Sequence, residues 1–142
     1  MRFLVFLVSC LIMLPFNGQS NRKLARDGNK QFNDSLFVES EVSYKKSLKK
    51  DNSVDKIKFN LANSLSKQSR FDESSDILKE IIHSSRDTIL KSEAYYNQGN
   101  NLLQQQKLED AIESFKNCLR INPSDEEARY NLSKTLSLLN NQ

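Results

Sequence analysis

The chain has 142 residues, of which 37% are hydrophobic and 27% charged, and its formal net charge is +3. This length fits one domain of modest core and argues against further domains. The 21 basic and 18 acidic side chains are interspersed, so no long field of one sign is available to attract nucleic acid. The composition therefore gives no support to a nucleic-acid partner.

The first residues have the pattern of an export signal. Arg2 precedes an apolar run over residues 3–16, and small or polar residues follow it. Fourteen residues span only about 21 Å of helix, whereas the hydrocarbon core of a membrane is roughly 30 Å thick. We therefore predict a signal peptide at residues 1–20, cleaved near Gly18 or Ser20. An N-terminal membrane anchor that is not cleaved is the alternative.

The cysteines and the histidine offer little for chemistry. Cys10 ends a stretch that resembles a bacterial lipoprotein box, but the leader before it is very short and apolar residues continue after it. Cys118 is the one cysteine beyond the leader and cannot form an internal disulfide, so we expect it to be a small buried core residue. His83 is the only histidine. The sequence therefore predicts no metal site, no cofactor and no Cys/His catalysis.

A repeat of 34 residues organises the rest of the chain. Tyr96 and Asn97 recur as Tyr130 and Asn131, and only three Gly and two Pro interrupt the whole sequence. A period of this length is typical of stacked pairs of helices. Aligned at this period, the chain divides into three repeats and a terminal half-repeat, which are 21–54, 55–88, 92–125 and 126–139, with a frayed tail at 140–142.

Small residues recur at one position of every repeat, where the two helices of a hairpin must approach closely: Gly28, Ala62, Gly99 and Ser133. Large residues recur in phase on the second helix of each pair, at Tyr44, Leu78 and Phe115. The pattern predicts an all-α chain of about seven helices. Ser124 followed by Glu127 also predicts a capping box at the start of a last helix over about 125–139.

At these positions the sequence resembles the tetratricopeptide repeat family, and the third repeat, from Ala94 to Pro123, matches it well. The resemblance implies a right-handed superhelical solenoid of antiparallel helix hairpins. Ser35, Ser69 and Gln106 stand where the family often has a turn glycine.

The resemblance also implies a peptide-binding groove, lined by the first helix of each repeat. Asparagine dominates the groove positions, and three aromatic residues stand between the amides. An amide offers donors and an acceptor, so it can pair with the backbone of an extended peptide of any sequence. The predicted groove residues are Asn29, Phe59, Asn60, Asn63, Tyr96, Asn97, Asn100, Tyr130 and Asn131. Solvated surface asparagines in an Asn-rich chain are the alternative interpretation.

One subfamily of these repeats grips a C-terminal carboxylate with cations at three positions. Here those positions hold Ala25, Glu93 and Asn97, although Asn29 and Asn60 match the remaining clamp sites. A terminal carboxylate would be repelled by Glu93. The sequence therefore argues against a receptor for chaperone tails.

The short leader, the stretch 24–29 and the stretch 128–132 are together similar to the exported tetratricopeptide proteins of bacterial aerotolerance operons (the BatC type). That resemblance implies export, a periplasmic or membrane-associated location, and protein partners such as von Willebrand A-type membrane proteins. We predict a scaffold that is not an enzyme and has no small-molecule substrate. A structural subunit acting through its convex face or by end-to-end stacking is the alternative.

Overall fold

The structure, a computed structural model, describes residues 20–141. This part of the chain forms seven α-helices and no strand, which confirms the predicted all-α fold. The first six helices pair into three hairpins, and the seventh closes the stack. The helices are α1 (Asn21–Asn33), α2 (Phe37–Lys50), α3 (Asp55–Lys67), α4 (Phe71–Ser84), α5 (Thr88–Gln104), α6 (Leu108–Ile121) and α7 (Glu126–Asn140). Residues 1–19 of the predicted leader and residue 142 lie outside the described residues.

The first helices of the repeats are α1, α3, α5 and α7, and a side chain caps the N-terminus of three of them. Ser20 accepts a hydrogen bond from the amide of Lys23 at the start of α1, and Asp87 accepts one from Leu90 at the start of α5. At α7 the cap is Asp125, which accepts from the amide of Ala128 at 2.9 Å. The predicted cap Ser124 is therefore wrong by one residue, because its hydroxyl donates to Asn122 instead. A carboxylate at this position is also stabilised by the positive end of the helix dipole.

The turn inside each hairpin contains one residue in the left-handed region. Ser35, Ser69 and Gln106 have φ angles of 61°, 60° and 58°. These are the positions where the family often has glycine, and L-residues with a side chain adopt this conformation at a cost. The three turns adopt the left-handed conformation that glycine favours, although none of these residues is glycine.

Each of two hairpins is closed by a glycine that faces an aromatic ring. A Cβ atom added to Gly28 would lie 2.6 Å from the Tyr44 ring, and one added to Gly99 would lie 2.6 Å from the Phe115 ring. Such distances are shorter than any ordinary contact. Only glycine therefore lets these helices approach as closely as they do.

The core runs between successive helices instead of around one centre, as expected for a solenoid. One buried cluster joins α3, α4 and α5, and another joins α2 to α3. Cys118 is fully buried in α6, as predicted, and burial raises the pKa of its thiol. Residues 89–91, which lie between the second and third repeats, lengthen the start of α5. Of these, Leu90 is buried and Ile89 is 72% exposed.

Candidate functional site

The asparagines of the first helices pair with one another across the repeats. Asn60 Nδ2 donates to Asn29 Oδ1 at 3.0 Å, and Asn97 Nδ2 donates to Asn63 Oδ1 at 2.7 Å. Asn131 Nδ2 donates to Asn100 Oδ1 at 2.9 Å. The same bond therefore links α1 to α3, α3 to α5, and α5 to α7. We call these six residues the amide ladder.

The ladder uses only part of each amide's capacity. The Nδ2 groups of Asn29 and Asn63 and the Oδ1 atoms of Asn97 and Asn131 make no hydrogen bond within residues 20–141. An amide offers two donor hydrogens and an acceptor oxygen with two lone pairs. The ladder therefore fixes the register between repeats and leaves some amide donors and some amide acceptors unused.

Two adjoining cavities follow the ladder. The smaller, of about 260 Å³, is lined by Asn29, Asn60 and Asn63 together with Phe32, Asn33 and Tyr44. The larger, of about 510 Å³, is lined by residues of α1, α3 and α5, by Ser69 in the turn before α4 and by the first residue of α4. These residues are Phe32, Asn63, Ser66, Lys67, Ser69, Phe71, Asn97, Asn100, Asn101 and Gln104. Phe32 and Asn63 contribute to both cavities. Five of the six ladder residues thus line one continuous groove.

The predicted aromatic residues separate into two groups. Tyr96 and Tyr130 line a third depression of about 370 Å³, with the sixth ladder residue Asn131. Phe59 is 7% exposed and belongs to the core cluster of α3, α4 and α5. Its ring packs in the core beneath the ammonium of Lys56, 4.8 Å away, so Phe59 does not form the aromatic pocket predicted for it.

Tyr44 is a cavity residue that the sequence argument did not place there. It is 1% exposed, and its hydroxyl donates to Asn29 Oδ1 at 2.8 Å. Burial raises its pKa to about 12. Phe32, three residues after Asn29, was also missed, although helical spacing puts it near the same face.

The rim of the groove carries charges of both signs. Lys56 Nζ lies 3.2 Å from Glu93 Oε2, which joins α3 to α5 one helical turn before Asn60 and Asn97. The Tyr96 hydroxyl donates to Glu127 at 3.0 Å, and its own pKa is raised by burial. Both contacts connect neighbouring repeats at the level of the ladder.

The described residues form neither a cluster of metal ligands nor a membrane-spanning helix. Between residues 20 and 141, no group of three His, Cys, Asp or Glu side chains is placed to hold a metal ion. Over that range, no helix has both the length and the hydropathy needed to cross a membrane. The amide groove is therefore the feature on which a functional interpretation rests.

Stacked helix hairpins with a groove on their first helices define the class of helical-repeat domains. Residues 92–125, which include most of α5 and all of α6, match the family model of the tetratricopeptide repeat. No protein of curated function matches the sequence at a significant level.

Solved tetratricopeptide domains share the fold of the chain. The first domain of Spaghetti (RPAP3), bound to the HSP90 peptide SRMEEVD, is 24% identical with a TM-score of 0.77, and covers 85% of this chain and 94% of its own. The second domain of human RPAP3, in complex with an HSP70 peptide, is 20% identical with a TM-score of 0.69, covering 82% and 98%. The N-terminal domain of stress-induced protein-1 from C. elegans is 21% identical with a TM-score of 0.72, covering 81% and 93%.

Proposed function

We propose that the protein is a non-catalytic scaffold that binds an extended segment of a partner protein along the amide ladder. The observation that carries the proposal is the continuous groove in which Asn29, Asn63 and Asn97 present unused donor and acceptor groups. The peptide complexes of the structural neighbours support it, since they hold protein segments on the same fold.

The chemistry of the groove suits the backbone of a peptide. Unused amide N–H groups of the ladder pair with carbonyls of an extended chain, and unused amide oxygens pair with its N–H groups. Each such bond contributes about 1 kcal/mol net, because it replaces bonds to water. Contact with the exposed Tyr130 ring and with Tyr96 adds selectivity for apolar side chains.

The bound segment is internal to the partner and not its C-terminus. The three positions that hold cations in carboxylate-binding domains are Ala25, Glu93 and Asn97 here. Glu93 is paired with Lys56, so that cation is already partly neutralised. A terminal carboxylate bound at these three positions would lose its solvation without gaining a cation from them.

The setting we propose is the bacterial cell envelope. The pattern of residues 1–20 supports export, with the repeats in the periplasm or facing it from the membrane. The resemblance to aerotolerance-operon proteins supports a complex with von Willebrand A-type membrane proteins. Determining the N-terminus of the mature protein in bacterial membranes tests the export step, and an uncleaved Met1 in a cytosolic fraction would contradict it.

A second function is supported by the convex side. Val38 and Val42 are one turn apart on α2 and are 59% and 44% exposed, and Leu36 beside them is 46% exposed. Exposed apolar residues in contact with each other mark interaction surfaces more often than isolated ones. The alternative is a structural subunit that assembles through this face or end to end, with the groove empty.

A photo-reactive amino acid distinguishes the two functions in intact envelopes. We expect a cross-linker at Lys67, an exposed residue of the larger cavity, to capture a partner protein, and one at Val42 to capture none. Capture from Val42 alone would favour the structural alternative.

Substitution provides a second test. Asn60→Ala with Asn97→Ala should abolish capture from Lys67, because each removes one ladder bond and one unused acceptor. Asn52→Ala, in the exposed turn between α2 and α3, is the matched control and should leave capture unchanged. Unchanged capture by the double variant, with its helical content intact, would contradict binding along the ladder.

A further inference from the structure

Helical spacing places a stripe of four residues on the ladder side of each of the helices α1, α3, α5 and α7. A spacing of i, i+4, i+7 and i+11 keeps four residues on one side of an α-helix. The ladder residues occupy the middle of every stripe, and the cavities confirm that these positions face the groove in α1, α3 and α5. The stripes are Arg22, Arg26, Asn29 and Asn33 on α1; Lys56, Asn60, Asn63 and Lys67 on α3; Glu93, Asn97, Asn100 and Gln104 on α5; and Glu127, Asn131, Lys134 and Leu138 on α7.

The sign of the charge changes along the groove. The first position of the stripe is basic on α1 and α3, at Arg22 and Lys56, and acidic on α5 and α7, at Glu93 and Glu127. The ion pair between Lys56 and Glu93 lies where the sign changes and shows that these first positions are neighbours in space. Counted over whole stripes, α1 and α3 carry four cations and no anion, whereas α5 and α7 carry two anions and one cation.

Most of the cations are available to a ligand. Arg22, Arg26 and Lys67 are exposed, and none of them forms an ion pair with another described residue. Lys67 also lines the larger cavity directly. The acidic end is less available, because Glu127 already accepts a hydrogen bond from Tyr96.

We infer that the groove takes an extended protein segment whose carboxylate side chains lie on α1 and α3, and whose uncharged or basic end lies toward α7. The inference rests on the proposed function and adds the charge and direction of its ligand. Carboxylates in such a segment meet Arg22, Arg26 and Lys67 at an exposed surface, where each pair is worth about a two- to fivefold change in affinity. Charge of this kind sets orientation and selectivity more than overall affinity.

The test uses the full-length chain in a non-ionic detergent and three synthetic peptides that share an uncharged Asn/Ser/Leu segment. One has four Glu at one end, one has four Lys there, and one is neutral. We expect the Glu peptide to bind at least tenfold more tightly than the Lys peptide by fluorescence anisotropy in 0.05 M salt. The difference in affinity should shrink in 1 M salt, where the Debye screening length is only about 3 Å. Equal affinities would overturn the inference.

Charge reversal provides the matched comparison. Arg22→Glu with Arg26→Glu should remove the preference for the Glu peptide, and the fold should persist because both side chains are exposed and form no described ion pair. Lys46→Glu with Lys49→Glu changes net charge equally on exposed positions of α2 and should leave the preference unchanged. The same loss in both double variants would mean that only net charge matters, and would overturn the inference.

Direction is measured by placing a benzophenone at the Glu end or at the opposite end of the Glu peptide. The Glu end should cross-link to residues of α1 or α3, and the opposite end to α5 or α7. Cross-links in the reverse order would overturn the inference while the proposed function stands. Binding of none of the peptides in the groove would overturn both. Stronger binding to anionic phospholipid vesicles or to single-stranded DNA than to the Glu peptide would assign the basic end to another partner.

Discussion

The second and third hairpins both pack a small residue of the first helix against a large residue of the second, but with different volumes. In the third, Gly99 on α5 lies against the Phe115 ring on α6, and no Cβ fits between them. In the second, the corresponding residues are Ala62 on α3 and Leu78 on α4, both fully buried. A methyl group added on the first helix is matched by a smaller side chain on the second. We therefore expect the two positions to be coupled, so that a change of volume at one is offset by a change at the other.

The two hairpins differ more in polarity than in volume. Ser66 and Ser74 in the second correspond to Leu103 and Ala111 in the third. The serines are hydrogen-bonded to each other and to Asn101 of α5, which is 3% exposed. Within residues 20–141 every buried side-chain polar atom has a partner. The second hairpin thus depends on the third to satisfy its polar interior, and only the third matches the family model.

The largest effect should come from removing the glycine that the third hairpin needs. Gly99→Ala places a methyl group 2.6 Å from a buried ring, so Phe115 or the helix must move. We expect the free energy of unfolding to fall by about 3 kcal/mol, which exceeds the roughly 1 kcal/mol that alanine gains in helix propensity. Urea denaturation followed by circular dichroism measures it.

Adding Phe115→Leu to this variant copies the Ala62 and Leu78 pair of the second hairpin. The double variant should recover at least half of the loss, and a double-mutant cycle should give a favourable coupling energy. Strictly additive losses would mean that the two hairpins are not interchangeable solutions to one packing problem.

The contrast also explains which features were visible in the sequence. The volume pattern was predictable, because Gly28, Ala62 and Gly99 recur in phase and depend on the geometry of one hairpin. Pairing within the ladder was not, because an amide such as Asn97 bonds equally well to a peptide or to Asn63, and only the distance between helices decides. Phe59 shares its repeat position with Tyr96 and Tyr130, but it has no hydroxyl that must reach a polar partner and is free to enter the core.

The next effect concerns the polar interior of the second hairpin. Asn101→Ala should lower the free energy of unfolding by about 2 kcal/mol, because the buried hydroxyl of Ser74 and the half-buried hydroxyl of Ser66 lose a partner. Replacing all three polar groups, with Ser66→Ala, Ser74→Ala and Asn101→Leu, leaves none of them behind without its partner and should be less destabilising than the single change. Thermal unfolding of both variants checks the order, and the reverse order would refute this account.

The first hairpin extends the comparison, because it closes on a tyrosine where the third has phenylalanine. Burial raises the pKa of Tyr44 to about 12, above the usual value near 10 in an unfolded chain. A raised pKa means that the stabilisation is present below pH 10 and is lost as the pH rises toward 12. We expect a loss on the order of 1 kcal/mol by pH 11, measured by urea denaturation.

Tyr44→Phe is the matched control, because it removes only the phenol of Tyr44 and keeps every other titratable group. It should be about 1 kcal/mol less stable than the parent at pH 8, because the bond to Asn29 is lost, and the gap should narrow by pH 11. A gap that stays constant would show that the phenol of Tyr44 does not ionise in this range.

The smallest effect should be a gain that is equal in both hairpins. Ser69 and Gln106 have φ angles of 60° and 58°, a conformation that costs a residue with a side chain about 1–2 kcal/mol. Glycine removes this cost, but roughly half of the stabilisation is lost again because glycine has more conformational freedom in the unfolded chain. Ser69→Gly and Gln106→Gly should therefore each stabilise by about 0.5–1 kcal/mol. Asn52→Gly, in a turn without positive φ, should not stabilise. If only one of the two variants were stabilised, each turn conformation would depend on the packing inside its own hairpin. The equivalence proposed for the packed residue pairs would then not extend to the backbone of the turns.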